Sequence, residues 1–137
     1  MKVFIDTSAF LALFISSEKY HKQVSRQYSD YRKSRALFFT SHYVLDELYT
    51  RLMYDFGRSI TQKTIVIMNK SIEKEELSIF NVDETIFKKA QGILIKFSEH
   101  KLSFTDSTSY VLYKDFGMDT IFTLDDDFKK IRANTSF

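Results

Sequence analysis

Residues Lys2 to Phe14, KVFIDTSAFLALF, run from a strand pattern into a helix pattern with one carboxylate between them. Val3, Phe4 and Ile5 form an apolar run long enough for a buried strand and too short for a helix on its own. Asp6 ends that run. Thr7 and Ser8 are small hydroxyl residues of the kind that open helices, and Ala9 to Phe14 continue as an apolar helix. A strand that stops at a carboxylate and turns into a helix places that carboxylate at the carboxyl edge of a parallel sheet, where open α/β folds do their chemistry. A single Asp in this position is also an ordinary helix cap. The weight against the cap comes from three later stretches, each of which brings a further carboxylate to a comparable place.

Ser17-Glu18 can open a second helix running to about Ser34, with Tyr20, Val24, Tyr28 and Tyr31 as one narrow apolar stripe. Lys19, Lys22, Arg26, Arg32, Lys33 and Arg35 make the rest of this region basic. A solvated face is the default reading of such a run, and an RNA-facing role the alternative. Ala36 to Phe39 reads as a second strand. Thr40 and Ser41 then cap a third helix with Tyr43, Val44, Leu45, Leu48, Tyr49, Leu52 and Met53 on its apolar side. Asp46 and Glu47 are neighbours on it, and adjacent helical residues point about 100° apart. Glu47 lies on or beside the buried stripe, where an unpaired carboxylate is costly. Either Arg51, one turn on, pairs with it, or a metal ion shared with Asp6 does.

Ser59 starts a helix through about Lys74, and Leu77 to Phe80 is a third strand. Asp83 caps a helix from Glu84 to about Phe97. The stretch LSFTDSTSYVLYKDFG opens another, with Thr105-Asp106 in its first turn and Gly117 as its stop. Capping is again the simple role for Asp106. Ser107, Thr108 and Ser109 are poor interior helix formers, and their run suggests a crowded polar site. Asp119 to Thr123 is a fourth strand, followed at once by Asp125, Asp126 and Asp127, three like charges that a plain solvated turn has no reason to stack. The tail from Lys129 to Phe137 is a candidate short last strand.

At 137 residues the chain is read as one domain, residues 1–137. It contains no Cys, so any metal must be held by oxygen or imidazole, and a reducing cytoplasm suits it. The three His residues, His21, His42 and His100, show no ligand spacing. A carboxylate interrupts the N-terminal apolar run, so no signal peptide is read there, and no apolar stretch reaches the roughly 20 residues of a membrane helix. The formal net charge of +2 neither announces nor forbids a nucleic-acid partner.

Asp6, Glu47, Asp106 and Asp125, with Asp127 nearby, thus fall at strand ends, at a helix start or on a buried helix face. In an α/β fold with a mainly parallel sheet of four to five strands, these sites can converge on one edge. Several carboxylates a few ångströms apart need a compensating cation. With no Cys and no paired His, oxygen ligands select Mg²⁺ or Mn²⁺. Such an ion suits phosphodiester hydrolysis.

The pieces FIDTSAF, TSHYVLDELYT, LSFTDSTSY and IFTLDDDF, in that order and spanning almost the whole chain, resemble the PIN domain family and, within it, ribonuclease toxins of the VapC type. The resemblance implies a three-layer α/β/α sandwich. It implies Asp6, Glu47 and Asp106 as principal acids, Asp125 as the fourth and Asp127 as its auxiliary neighbour. Ser8 and Thr123 match small hydroxyl positions beside the metal, and the family register selects Glu47 over Asp46. It further implies Mg²⁺- or Mn²⁺-dependent RNA cleavage leaving a 5′-phosphate and a 3′-hydroxyl, a homodimer, and a small antitoxin that blocks the site.

Two other families with an early Asp fit less well. Ser8 stands where a haloacid-dehalogenase-type phosphatase needs a second acid, and Asp6 lacks the paired acid of a phosphoacceptor receiver domain. The same residues leave open a nuclease acting on DNA or in RNA processing, or a silent nucleic-acid-binding module.

Overall fold

A computed structural model describes residues 1–137. Four strands, β1 (Lys2–Ile5), β2 (Leu37–Ser41), β3 (Leu77–Phe80) and β4 (Thr120–Phe122), form one sheet in the order β3-β2-β1-β4. Every pairing is parallel. Parallel neighbours require crossover segments, and each crossover here is a pair of helices. These are α1 (Thr7–Phe14) and α2 (His21–Lys33) before β2, α3 (His42–Phe56) and α4 (Arg58–Glu73) before β3, and α5 (Glu84–Lys96) and α6 (Phe104–Asp115) before β4. The result is a central sheet flanked by helices, the layered architecture expected from the alternating pattern.

β1 sits in the interior of the sheet, with Val3, Phe4 and Ile5 all buried, which is why it reads as a continuous apolar run and not an alternating one. The chain builds outward from β1 to β2 and β3 on one side, then returns to place β4 on the other. The crevice at the carboxyl ends of β1 and β4 is therefore the switch point of this sheet, the place where α/β folds open a ligand site.

Helix starts follow local chemistry. Ser41 accepts from the Val44 amide and Asp83 from the Ile86 amide, so both are true N-caps. The second helix begins later than the sequence suggests: residues 16–20 form turns, and α2 starts at His21. The His21 ring bonds the Ala12 carbonyl at 2.6 Å, tying the start of α2 to the end of α1. The tail adds a single parallel bridge, Ile121 to Thr135, rather than a fifth strand. It is preceded by a short helix, α7 (Asp127–Lys130). Tyr31 donates to or accepts from Ser136 at 2.6 Å, and Phe137 packs on Phe122, so the tail covers the outer edge of β4.

Candidate active site

Asp6 occupies the N-cap position of α1 but makes no capping hydrogen bond with its side chain. Its Oδ2 instead accepts from Thr123 Oγ1 at 2.9 Å and from Ser8 Oγ at 3.4 Å. Thr123 lies just after β4, so a residue at the end of β1 is held by one at the end of its neighbour. The two hydroxyls are 3.0 Å apart. Ser8 Oγ also accepts from the Leu124 amide at 2.9 Å, and Thr123 Oγ1 accepts from the Asp125 amide at 3.0 Å. This small hydroxyl network shapes the loop that carries Asp125. Asp125 Oδ1 in turn accepts from the Asp127 amide at 2.9 Å, starting α7.

Asp106 reaches the same region from α6. The cap of that helix is Ser103, whose Oγ accepts from the Asp106 amide at 3.0 Å while Asp106 Oδ2 accepts from the Ser103 amide at 3.2 Å. This reciprocal capping box places Asp106 in the third helical position and orients one carboxylate oxygen. The Ser-x-x-Asp spacing was readable in the sequence and is the signal that identifies Ser103.

Oxygens of Asp106, Asp125 and Asp127 lie within 4.8 Å of one another. Asp6 and Glu47 join them electrostatically. Burial, then the Asp106 charge, raise the Asp6 carboxyl to about 7, and Glu47 adds to the rise. Burial also raises Asp106 to about 6, with Asp125 and Glu47 contributing. Burial raises Asp125 as well. Asp127 moves the other way, because Lys130 bonds its Oδ1 at 2.9 Å.

On α3, Glu47 is half-buried and Asp46 exposed. Arg51 forms no ion pair with Glu47; it lines a hollow with Ser8, Glu18, Tyr20 and Leu124. Asp6, Glu47, Asp106 and Asp125 thus gather at one sheet edge with no Lys, Arg or His within 4.0 Å of any of them. Ser107, Thr108 and Ser109 do not form a polar site. All are fully buried; the first two hydroxyls bond back to the Ser103 and Thr105 carbonyls of their own helix, and Ser109 Oγ has no partner.

The donor set fits a hard divalent cation. It is oxygen only, its carboxylates raise one another's pKa, and none of the four inner acids has an ion-pair partner within 4.0 Å.

A family model described as PIN domain matches residues 3–134. No curated protein matches the chain. Among solved structures, the VapC20 toxin of Mycobacterium tuberculosis, described as cleaving the sarcin-ricin loop, superposes with a TM-score of 0.84 at 23% identity, covering 96% of this chain and 95% of that one. VapBC2 from Rickettsia felis, bound to a DNA fragment from its promoter, gives 0.74 at 14% identity over 99% and 98%. FitAcB from Neisseria gonorrhoeae gives 0.63 at 13% identity over 97% and 95%.

Proposed function

Because the chain belongs to the PIN domain family and sets four carboxylates without ion-pair partners at the switch point of its sheet, we propose that it is a metal-dependent endoribonuclease, the toxin of a toxin–antitoxin pair. The observation that carries this reading is Asp6: a buried carboxylate at a helix start that leaves its capping bond unmade and is held by Thr123 and Ser8 among other acids.

Asp6, Glu47, Asp106 and Asp125 would hold Mg²⁺ or Mn²⁺. Thr123 and Ser8 fix the Asp6 carboxylate, and the capping box fixes that of Asp106. Asp127, already engaged by Lys130, serves as an auxiliary acid that positions the Asp125 loop. When bound, the ion supplies activation of water and offsets charge on the leaving oxygen. The protein's own part is to hold the acids aligned; burial favours their protonated forms, so Asp6 and Asp106 would release their protons as the cation binds.

The antitoxin reading rests on the VapBC2 and FitAcB folds and on this chain's surface. Tyr54, Met53, Val66 and Ile67 are large apolar residues left exposed on α3 and α4, a surface suited to a protein partner or a second copy. No helix is long and apolar enough to cross a membrane, and a cytoplasmic RNA target fits the reading.

The test is cleavage of end-labelled RNA by purified protein with Mg²⁺ or Mn²⁺, beside EDTA, an Asp106→Asn variant and matched DNA. Discrete RNA cuts with 5′-phosphate ends, lost in EDTA and reduced at least about 100-fold in a folded Asp106→Asn protein, are expected. Cleavage of DNA alone, or RNA cleavage at the wild-type rate by the variant, contradicts the proposal.

A further inference from the structure

Four concave surfaces of this protein are lined by basic side chains, and three of them include a carboxylate. Arg32 and Arg35 share theirs with Glu75 and Glu76. Lys22 and Arg26 share theirs with Asp30, and Arg51 with Glu18. The fourth, of about 320 Å³, is lined by Lys96, Lys114, Lys130 and Arg132 with Phe97, Tyr110 and Ile131, and by no acid at all.

Three separate elements build it: the end of α5, the second half of α6, and α7 with the two residues after it. Ile131 is its buried floor, and all four cations are exposed. Phe97 and Tyr110 meet edge to face at 5.9 Å between ring centroids, and Lys96 Nζ sits 5.2 Å over the Phe97 ring. Of the four cations only Lys130 has a carboxylate partner, and that partner is Asp127. Lys96, Lys114 and Arg132 have none within 4.0 Å. Folding three uncompensated cations into one hollow costs self-repulsion, which a bound polyanion relieves.

The hollow is also contiguous with the acid cluster. Lys130 bonds Asp127 Oδ1, and the Asp127 amide bonds Asp125 Oδ1, so two hydrogen bonds lead from the hollow to the proposed metal site.

We propose that this hollow is a binding site for the phosphates of single-stranded RNA beyond the cleaved bond, with Lys96, Lys114 and Arg132 as its phosphate contacts. It rests on the ribonuclease reading above and adds a place for the substrate strand that the acids alone do not supply. Backbone contacts of this kind set affinity and register without reading bases. The site therefore favours substrates that extend past the cut and matters little for very short ones.

The experiment compares the wild-type protein with the triple variant Lys96→Gln, Lys114→Gln, Arg132→Gln. Affinity for a labelled single-stranded RNA, long enough to span the hollow, is read by anisotropy against salt in the Asp106→Asn background so that the probe is not cut. Cleavage of the same long RNA and of a tetranucleotide is measured in the otherwise wild-type chain. Loss of three contacts lowers the slope of log affinity against log salt by about 2 and weakens binding at least tenfold at low salt. Cleavage of the long RNA falls through KM while the tetranucleotide is cut as before. A companion Lys96→Arg, Lys114→Arg variant keeps wild-type binding, which separates charge from packing. An unchanged salt slope, with unchanged cleavage of the long RNA, overturns this site and leaves the nuclease reading standing. A folded wild-type protein that neither binds nor cuts RNA overturns both.

Discussion

Asp6 separates a catalytic reading from a structural one because its neighbours are the wrong ones for a cap. A capping carboxylate accepts from amides two or three residues on, whereas Asp6 accepts from hydroxyls, one of them contributed by the far end of the chain. Burial and the Asp106 charge lift its carboxyl to about 7, and burial lifts Asp106 to about 6, against 3.8 when unperturbed. Between those values the folded chain holds more protons than the unfolded one. Stability of the metal-free protein therefore falls as pH rises from about 4 to about 7 and levels off above. Asp6→Asn removes most of that dependence. In EDTA at pH 8 its Tm is expected to exceed the wild type by more than about 3 °C, while Mn²⁺ raises the Tm of the wild type only. Thermal melts with and without Mn²⁺ check this. A variant less stable than wild type in EDTA at pH 8 would show that Asp6 is a structural acceptor and not a strained ligand.

At the scale of elements, what local chemistry governs was legible in the sequence and what long-range packing governs was not. Asp83 and Ser41 cap the helices assigned to them, and β1 and β3 lie where their apolar runs place them. Glu47 was placed on the buried side of α3 by spacing alone, and it is half-buried. Of the two partners its position allows, Arg51 forms no ion pair with it, since helical spacing brings two residues near each other but does not choose the direction of a long side chain. The start of α2 was misplaced because the His21 contact to the Ala12 carbonyl comes from another helix. The polar run after Asp106 was misread because buried hydroxyls can bond their own helix as well as a ligand. Asp106 itself depends on α6 being capped correctly. Ser103→Ala removes the acceptor for the Asp106 amide and should cost about 1 kcal/mol of stability. It should also weaken Mn²⁺ binding by leaving the Asp106 carboxylate less fixed, as titration calorimetry would register. A loss of stability with unchanged Mn²⁺ affinity would mean that the capping box serves the helix alone.

At the scale of the whole molecule, the site exists because the sheet reverses direction of growth. β1 and β4 are far apart in sequence and adjacent in the sheet, so their carboxyl ends bring Asp6 and Thr123 together. The helices that return the chain from β3 then carry Asp106 to the same edge. No spacing rule in the sequence specifies that strand order. What it offered was four separate carboxylates, at strand ends, at a helix start and on a buried helix face, and topology brings them to one edge. The tail could not be read for a similar reason: it is held by Tyr31 and Phe122, residues remote from it, through one bridge instead of a ladder.

Whether these acids together hold one cation is tested by Mn²⁺ anomalous scattering from crystals of the protein. A peak is expected at the carboxyl ends of β1 and β4, at ligand distance from oxygens of Asp6 and Asp106 and lost in Asp6→Asn. A peak confined to Asp126 and Asp127 at the surface, or none at this edge in crystals that bind Mn²⁺ elsewhere, would contradict it.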